Sequence, residues 1–191
     1  MFKKVLMTVA TTLFITSSAM ALPFVDMGIK LGMGDMQYSN DDSSIQRQLD
    51  DADNSLFAMG VAARFQLAMI QLEANALYWS ETGAGDSSYK ALSVPVIGRI
   101  DFAPIPLLKL AAGTGLEFQF PLAATGPADN DVKDSLQQSL YLPLSVAADF
   151  TIPALGTLGV EARYGYELTS KFKTDGGTSG NYFLFFGTFL F

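Results

Sequence analysis

Apolar and polar positions alternate along most of this chain. In "FVDMGIKLGMGD", Val25, Met27, Ile29, Leu31 and Met33 share one face, and Asp26, Gly28, Lys30, Gly32 and Gly34 share the other. A period of two is the signature of a strand with two unlike surroundings. The pattern returns in "LFAMGVAARFQL", where Arg64 and Gln66 oppose Phe65 and Leu67, and in "IQLEANALY", where Gln71, Glu73 and Asn75 oppose Ile70, Leu72 and Ala74. It returns again in "ALSVPVIGRIDF", "LKLAAGTGLEF", "SLYLPLSVAADF" and "TLGVEARYGYE". In the closing "NYFLFFGTFLF", Phe183, Phe185, Phe189 and Phe191 fall opposite Tyr182, Leu184, Phe186, Thr188 and Leu190. The reading is about eight strands, each near the roughly 9–11 residues that cross an outer membrane at a tilt. After Leu22 no segment carries a sustained helical stripe.

The connections alternate in length. Long polar stretches run over 39–55, 80–90, 119–137 and 168–181, and tight links fall near 67–70, 103–106 and 151–156. An up-and-down barrel with loops at one rim and turns at the other produces this order, with both termini at the turn end. Its last strand is expected to pair with the first, Phe24 to Asp35, because lipid does not tolerate an open sheet edge.

Two features choose the solvent for each face. Gly28, Gly32, Gly34, Gly60, Gly113, Gly115, Gly159 and Gly165 all lie on the polar face. Glycine on an exposed strand surface packs nothing; inside a narrow barrel it makes room for Arg64, Arg99 and Arg163. Aromatic residues also gather near the strand ends: Phe24, Tyr38, Phe57, Tyr78, Trp79, Tyr89, Phe102, Phe118, Phe150, Tyr164, Tyr166 and Phe191. Girdles at the two headgroup levels account for that placement. The expected fold is therefore an all-β, eight-stranded antiparallel up-and-down transmembrane β-barrel. A soluble periplasmic lipocalin-like binder is the inverted alternative.

Residues 1–21 read as a cleaved signal peptide, leaving 22–191 as one barrel domain. Lys3 and Lys4 precede the apolar "VLMTVATTLFIT", and "AMA" supplies a small-residue cleavage site. Removal of Lys3 and Lys4 leaves 10 basic residues against 19 acidic ones, a net charge of −9. That balance argues against nucleic acid as a partner. The chain has no cysteine and no histidine. It therefore lacks thiolate ligands, disulfides, the commonest general base and the commonest metal ligand.

The signal peptide, the eight alternating strands and a last strand ending in Phe191 resemble small bacterial outer-membrane barrels of the OmpA/OmpX type. "YKALSVPVIGR" and "SLYLPLSVAAD", each with a mid-strand proline, also resemble the broad outer-membrane β-barrel domain family. The resemblance implies a location in the bacterial outer membrane, contact with its lipid, and recognition of Phe185, Phe189 and Phe191 by the barrel assembly machinery. Pro95 and Pro143 are poor ladder residues and predict a bulge or local opening.

The inward face carries the candidate chemistry. Lys30, Arg64, Arg99, Lys109 and Arg163 lie on it with Glu73, Asp101, Glu117, Asp149 and Glu161, and with Asp26 and Glu167 beyond them. An eight-stranded barrel is only wide enough for side chains to fill. These residues predict a lumen network of ion pairs, with a proton or solute pathway as the sharper alternative. Asp51-Ala-Asp53 begins like a calcium loop, but Leu56 and Ala62 stand where glycine and glutamate belong. No metal, cofactor or catalytic site is expected, since no histidine can activate a serine or water. The predicted role is structural or adhesin-like, through the loops of a monomer meeting a surface ligand. The alternative is a narrow channel for small hydrophobic molecules or ions, as attributed to the OmpW family.

Overall fold

The computed structural model describes residues 25–40, 54–83, 87–105, 107–125, 136–170 and 178–191. Eight strands follow in chain order: β1 (Val25–Asn40), β2 (Ser55–Leu67), β3 (Ile70–Thr82), β4 (Ser88–Ile105), β5 (Leu108–Thr125), β6 (Ser139–Ile152), β7 (Gly156–Thr169) and β8 (Thr178–Leu190). Each pairs antiparallel with its neighbours in sequence, and β8 pairs with β1 to close the barrel. The seam runs from Gly28 opposite Leu190 to Asn40 opposite Thr178. Past the end of β8, Phe191 and Met27 exchange both backbone hydrogen bonds, at 2.8 and 3.2 Å.

Register fixes the dimensions. Starting at Val25, successive partners are Phe65, Leu72, Gly98, Thr114, Leu144, Tyr164 and Phe183, and Phe183 leads back to β1 at Asp35. One circuit thus climbs from residue 25 to residue 35 of the same strand. For eight strands that stagger sets a tilt of about 40° and a backbone radius of about 8 Å. Such a cylinder has no room for a second layer of structure. Whatever occupies the lumen is side chain.

The outer surface is apolar over its middle. Leu31, Met33, Leu72, Leu144, Val160 and Phe185 are each about half exposed or more, from 50% for Leu72 to 69% for Met33. The inner surface holds buried charge, including Lys30, Glu73, Glu117 and Arg163 at 0%. Polar residues turn inward and apolar ones outward, the inverse of a soluble barrel.

Strands of 13 to 18 residues are longer than the sequence pattern suggests. At the tilt above, 13 residues rise about 32 Å, more than an apolar band of roughly 25 Å. The excess on β1 carries Asp35, Gln37 and Ser39 outward, all exposed. Alternation of apolar and polar residues marks only the stretch whose outer face is apolar, so it understates the strand.

The two prolines open the ladder without shifting register. Between β3 and β4, pairing stops after Ala74 with Val96 and resumes at Leu77 with Ser93. Between β5 and β6 it stops after Thr114 with Leu144 and resumes at Glu117 with Tyr141. Pro95 and Pro143 lie in these gaps and lack the N–H a ladder needs. True register shifts occur elsewhere, at Lys90/Ala91, Asp101/Ala103 and Leu140/Tyr141. At the turn end, Ala68, Leu107 and Ala154 take φ of 53°, 69° and 65°, as tight hairpins demand.

One expectation is corrected here. Tyr38, Trp79 and Tyr89 do not join an outer aromatic girdle. They share the inward parity of Lys30, Glu73 and Arg99, and Trp79 is 0% exposed. The outer rings at the strand ends are Phe57, Phe102, Phe118, Phe150 and Tyr166. Phe24, residues 1–21 expected to form a signal peptide, and most of the acidic stretches lie outside the described residues.

Candidate functional site

The lumen is stratified. Among the described residues its middle holds four cations, Lys30, Arg64, Arg99 and Arg163, with Glu73, Asp149 and Glu161, and Arg163 links this layer upward to Glu117, so that all eight are joined without a break. Glu73 on β3 is the hub. It takes Lys30 Nζ at 2.6 Å, Arg64 Nη2 at 2.8 Å and Arg99 Nη1 at 2.6 Å. Glu161 on β7 is the second hub, accepting from Lys30, from Arg99 Nη2 at 2.7 Å and from Arg163 Nε at 2.9 Å. Arg64 also reaches Asp149 on β6 at 2.6 Å, across the barrel from its own strand β2. Ion pairs therefore bridge opposite walls.

Burial makes this arrangement consequential. Charges taken out of water cost several kcal/mol each unless partners and hydrogen bonds compensate. Here four positive side chains meet four negative ones, and the guanidinium forks supply the geometry that several carboxylate oxygens need. Arg99 fits against the β5 wall because its partner there is Gly113. A Cβ at Gly113 would stand 2.6 Å from Arg99 Cγ. Phe186 closes the packing, with Lys30 Nζ 5.0 Å and the Arg163 guanidinium 4.6 Å from its ring centre.

Above the ion pairs lies an aromatic layer. Trp79 and Tyr182 meet edge to face at 4.9 Å, and Tyr141 lies 5.5 Å from Tyr182. Tyr182 stands over Gly165, where a Cβ would collide with its ring. Carboxylates in this layer are held by hydroxyls. Tyr182 donates to Glu117, Tyr38 donates to Glu81, and Tyr141 lies 3.4 Å from Glu167. Glu117 also accepts from Ser93 and from Gln119, both at 2.9 Å. Arg163 Nη1 stands 3.7 Å from it, an ion-pair distance too long for a hydrogen bond.

Below the ion pairs, Asp101 and Lys109 connect through amides. Gln71 donates to Asp101 at 2.6 Å and Gln66 donates to it at 3.1 Å, while Lys109 Nζ donates to Gln66 Oε1 at 2.9 Å. These two residues therefore stand at the edge of the network, outside its direct ion pairs. Beneath them the turn end opens into a cavity of about 320 Å³.

Sequence reasoning missed Tyr141, Tyr182, Ser93, Gln119, Ser145 and Phe186. Parity could have found them, since each falls on the inward face of its strand, although only Gln119 and Ser145 have a charged residue two or four positions away, Glu117 and Asp149. Phe185, Phe189 and Phe191 point outward, away from the network. Leu56 and Ala62, the positions that spoil the calcium pattern, lie within β2 and face the lumen; Asp51 and Asp53 lie outside the described residues.

No family model matches the chain, and no curated protein matches it by sequence. Solved structures do. Neisserial surface protein A superposes with a TM-score of 0.57 at 13% identity, covering 86% of this chain and 97% of that one. Ail, the attachment invasion locus protein of Yersinia pestis, gives 0.49 at 12% identity over 87% of this chain and 98% of that one. The outer membrane protein OprG from Pseudomonas aeruginosa gives 0.47 at 11% identity over 87% and 95%. At such identity the likeness to the Neisserial protein speaks for fold alone, and the fold is an eight-stranded outer-membrane barrel.

Proposed function

We propose that the chain is an integral protein of the bacterial outer membrane with a closed lumen, acting as a structural or adhesive element through the connections at its loop end. One observation carries this reading: the balanced ion-pair layer that ties β1, β2, β3, β4, β6 and β7 together across the lumen. A solute would have to break several buried pairs to pass, at a typical cost of about 3–5 kcal/mol for each. The apolar outer face supports contact with lipid, and the closed β1–β8 seam, which leaves no strand edge to pair with a second copy, supports a monomer. In the same reading Phe185, Phe189 and Phe191 form the outward face of β8 that the assembly machinery recognises. The role is non-catalytic.

The test is leakage from liposomes holding the purified, refolded protein. The expected result is retention of small ions and of a small hydrophobic dye at the rate of protein-free vesicles. Steady leakage of either would overturn the closed lumen and favour the narrow channel. Recovery of the mature protein as a soluble monomer without detergent would instead favour the lipocalin-like binder.

A further inference from the structure

The cavity at the turn end plays no part in the closed-lumen reading. It is a cup of about 320 Å³ whose walls include Asp26, Arg64, Gln66, Lys109, Asp149 and Thr157. Its inner limit is the pair Arg64 to Asp149, which spans the barrel at 2.6 Å and belongs to the network above. On β6 and β7, Thr151 and Thr157 set their hydroxyls 3.3 Å apart on the wall.

The charges in the cup are balanced but unequally engaged. Asp149 takes Arg64, which Glu73 also holds from above. Lys109 spends one of its three donors, on the neutral amide of Gln66, and no carboxylate lies within ion-pair distance of it among the described residues. Asp26 makes no side-chain hydrogen bond or ion pair among the described residues, and it is exposed to solvent. Lys109 sits on β5 and Asp26 on β1, four strands apart in a closed ring of eight. An ammonium with donors to spare, reaching Asp101 only through the amide of Gln66, and a carboxylate without a partner among the described residues therefore stand on opposite walls of the cup.

We propose that this cup binds a small zwitterion, with the ligand's carboxylate on Lys109 and its ammonium on Asp26. A simple anion would gain Lys109 but meet Asp26 and Asp149; a simple cation would meet Lys109 and Arg64. Only a molecule with both charges satisfies both walls. Size narrows the class further. With a backbone diameter of about 16 Å, and side chains filling both sides, the gap is on the order of 7 Å, the span of two extended residues. The volume holds about ten waters, enough for an amino acid or a dipeptide. With short turns on the periplasmic side, as in outer-membrane barrels, the cup opens to the periplasm, but binding itself does not depend on that orientation.

The experiment is titration of the folded protein in detergent micelles with glycylglycine, followed by the amide resonances of Asp26, Lys109 and Thr157. The controls are acetate and methylammonium. Glycylglycine should shift these resonances saturably, and each single-charge control should bind at least tenfold more weakly. Lys109→Gln and Asp26→Asn should each weaken glycylglycine at least tenfold, while Lys109→Arg should keep most of the affinity. Retained heat-modifiable mobility in gels confirms that each variant folds. Absence of saturation, equal binding of acetate or methylammonium, or unchanged affinity in either neutral variant would overturn the proposal. These outcomes are independent of liposome leakage, so the cup and the closed lumen can fail separately.

Discussion

The middle of the lumen and its upper third hold carboxylates in different ways. In the middle, Glu73 and Glu161 are each surrounded by three cations. In the upper third, Glu81 and Glu117 take hydroxyl donors from Tyr38 and Tyr182. Charge–charge pairing needs long flexible side chains and leaves its partners charged if broken. Phenol donors are stiff, carry their own apolar ring and, when lost, leave only the carboxylate to be satisfied, with no cation stranded beside it. The ion-pair layer is thus the more strongly interdependent of the two, and the aromatic layer above it does more of the space filling.

Substitutions can separate these two modes. The largest effect is expected for Glu73→Leu, which takes one carboxylate from each of three cations and leaves Lys30 and Arg99 sharing Glu161 and Arg64 on Asp149 alone. The loss should reach or exceed the roughly 3–5 kcal/mol typical of a broken buried pair, read as a lower urea midpoint in lipid vesicles. An unchanged midpoint would mean that water, not Glu73, satisfies these cations. An outer reference comes from β8, where Phe185 faces out beside Phe186 facing in. Phe185→Arg should cost about 2–4 kcal/mol by placing charge against hydrocarbon; a smaller cost than for any lumen variant would shift Phe185 toward the headgroup level.

Tyr182→Phe should cost less, about 1.5–3 kcal/mol, the usual worth of a hydrogen bond to a charged group. Glu117 keeps Ser93 and Gln119 in that variant. If Tyr182→Phe matched Glu73→Leu in the same unfolding assay, the two layers would be energetically alike and the distinction would fall. The smallest effect is expected for Tyr38→Phe. Its ring lies near the loop end and is only partly buried, so water can replace the hydroxyl at a loss of about 0.5–1.5 kcal/mol.

Much of this architecture was legible in the alternation of residues. Lys30, Arg64, Glu73, Arg99, Glu161 and Arg163 share inward parity, and a barrel of eight strands leaves them nowhere to go but toward one another. Which cation meets which carboxylate was not legible. The cross-barrel contact of Arg64 with Asp149 depends on the stagger from Val25 to Asp35, a property of all the registers together. Trp79 was misplaced for a different reason. Its position near a strand end suggests a headgroup ring, yet its parity with Glu73 and Glu81 already assigned it inward. Face, not position along the strand, decides where a ring points.

The seam between β1 and β8 has a consequence for how the barrel comes into being. Every other ladder joins strands adjacent in sequence, so each can form as a local hairpin once its two arms exist. The seam joins Gly28 to Leu190, nearly the whole described chain apart. The entropy of closing a loop grows only with the logarithm of its length, about 0.6 kcal/mol per doubling, so this ladder is not prohibitively costly at equilibrium. Its burden is kinetic: contacts of high sequence separation form slowly, and until this one forms two raw strand edges stay exposed. The order of events is then set by topology, with seven hairpin registers able to form early and one closing step that waits for the last strand.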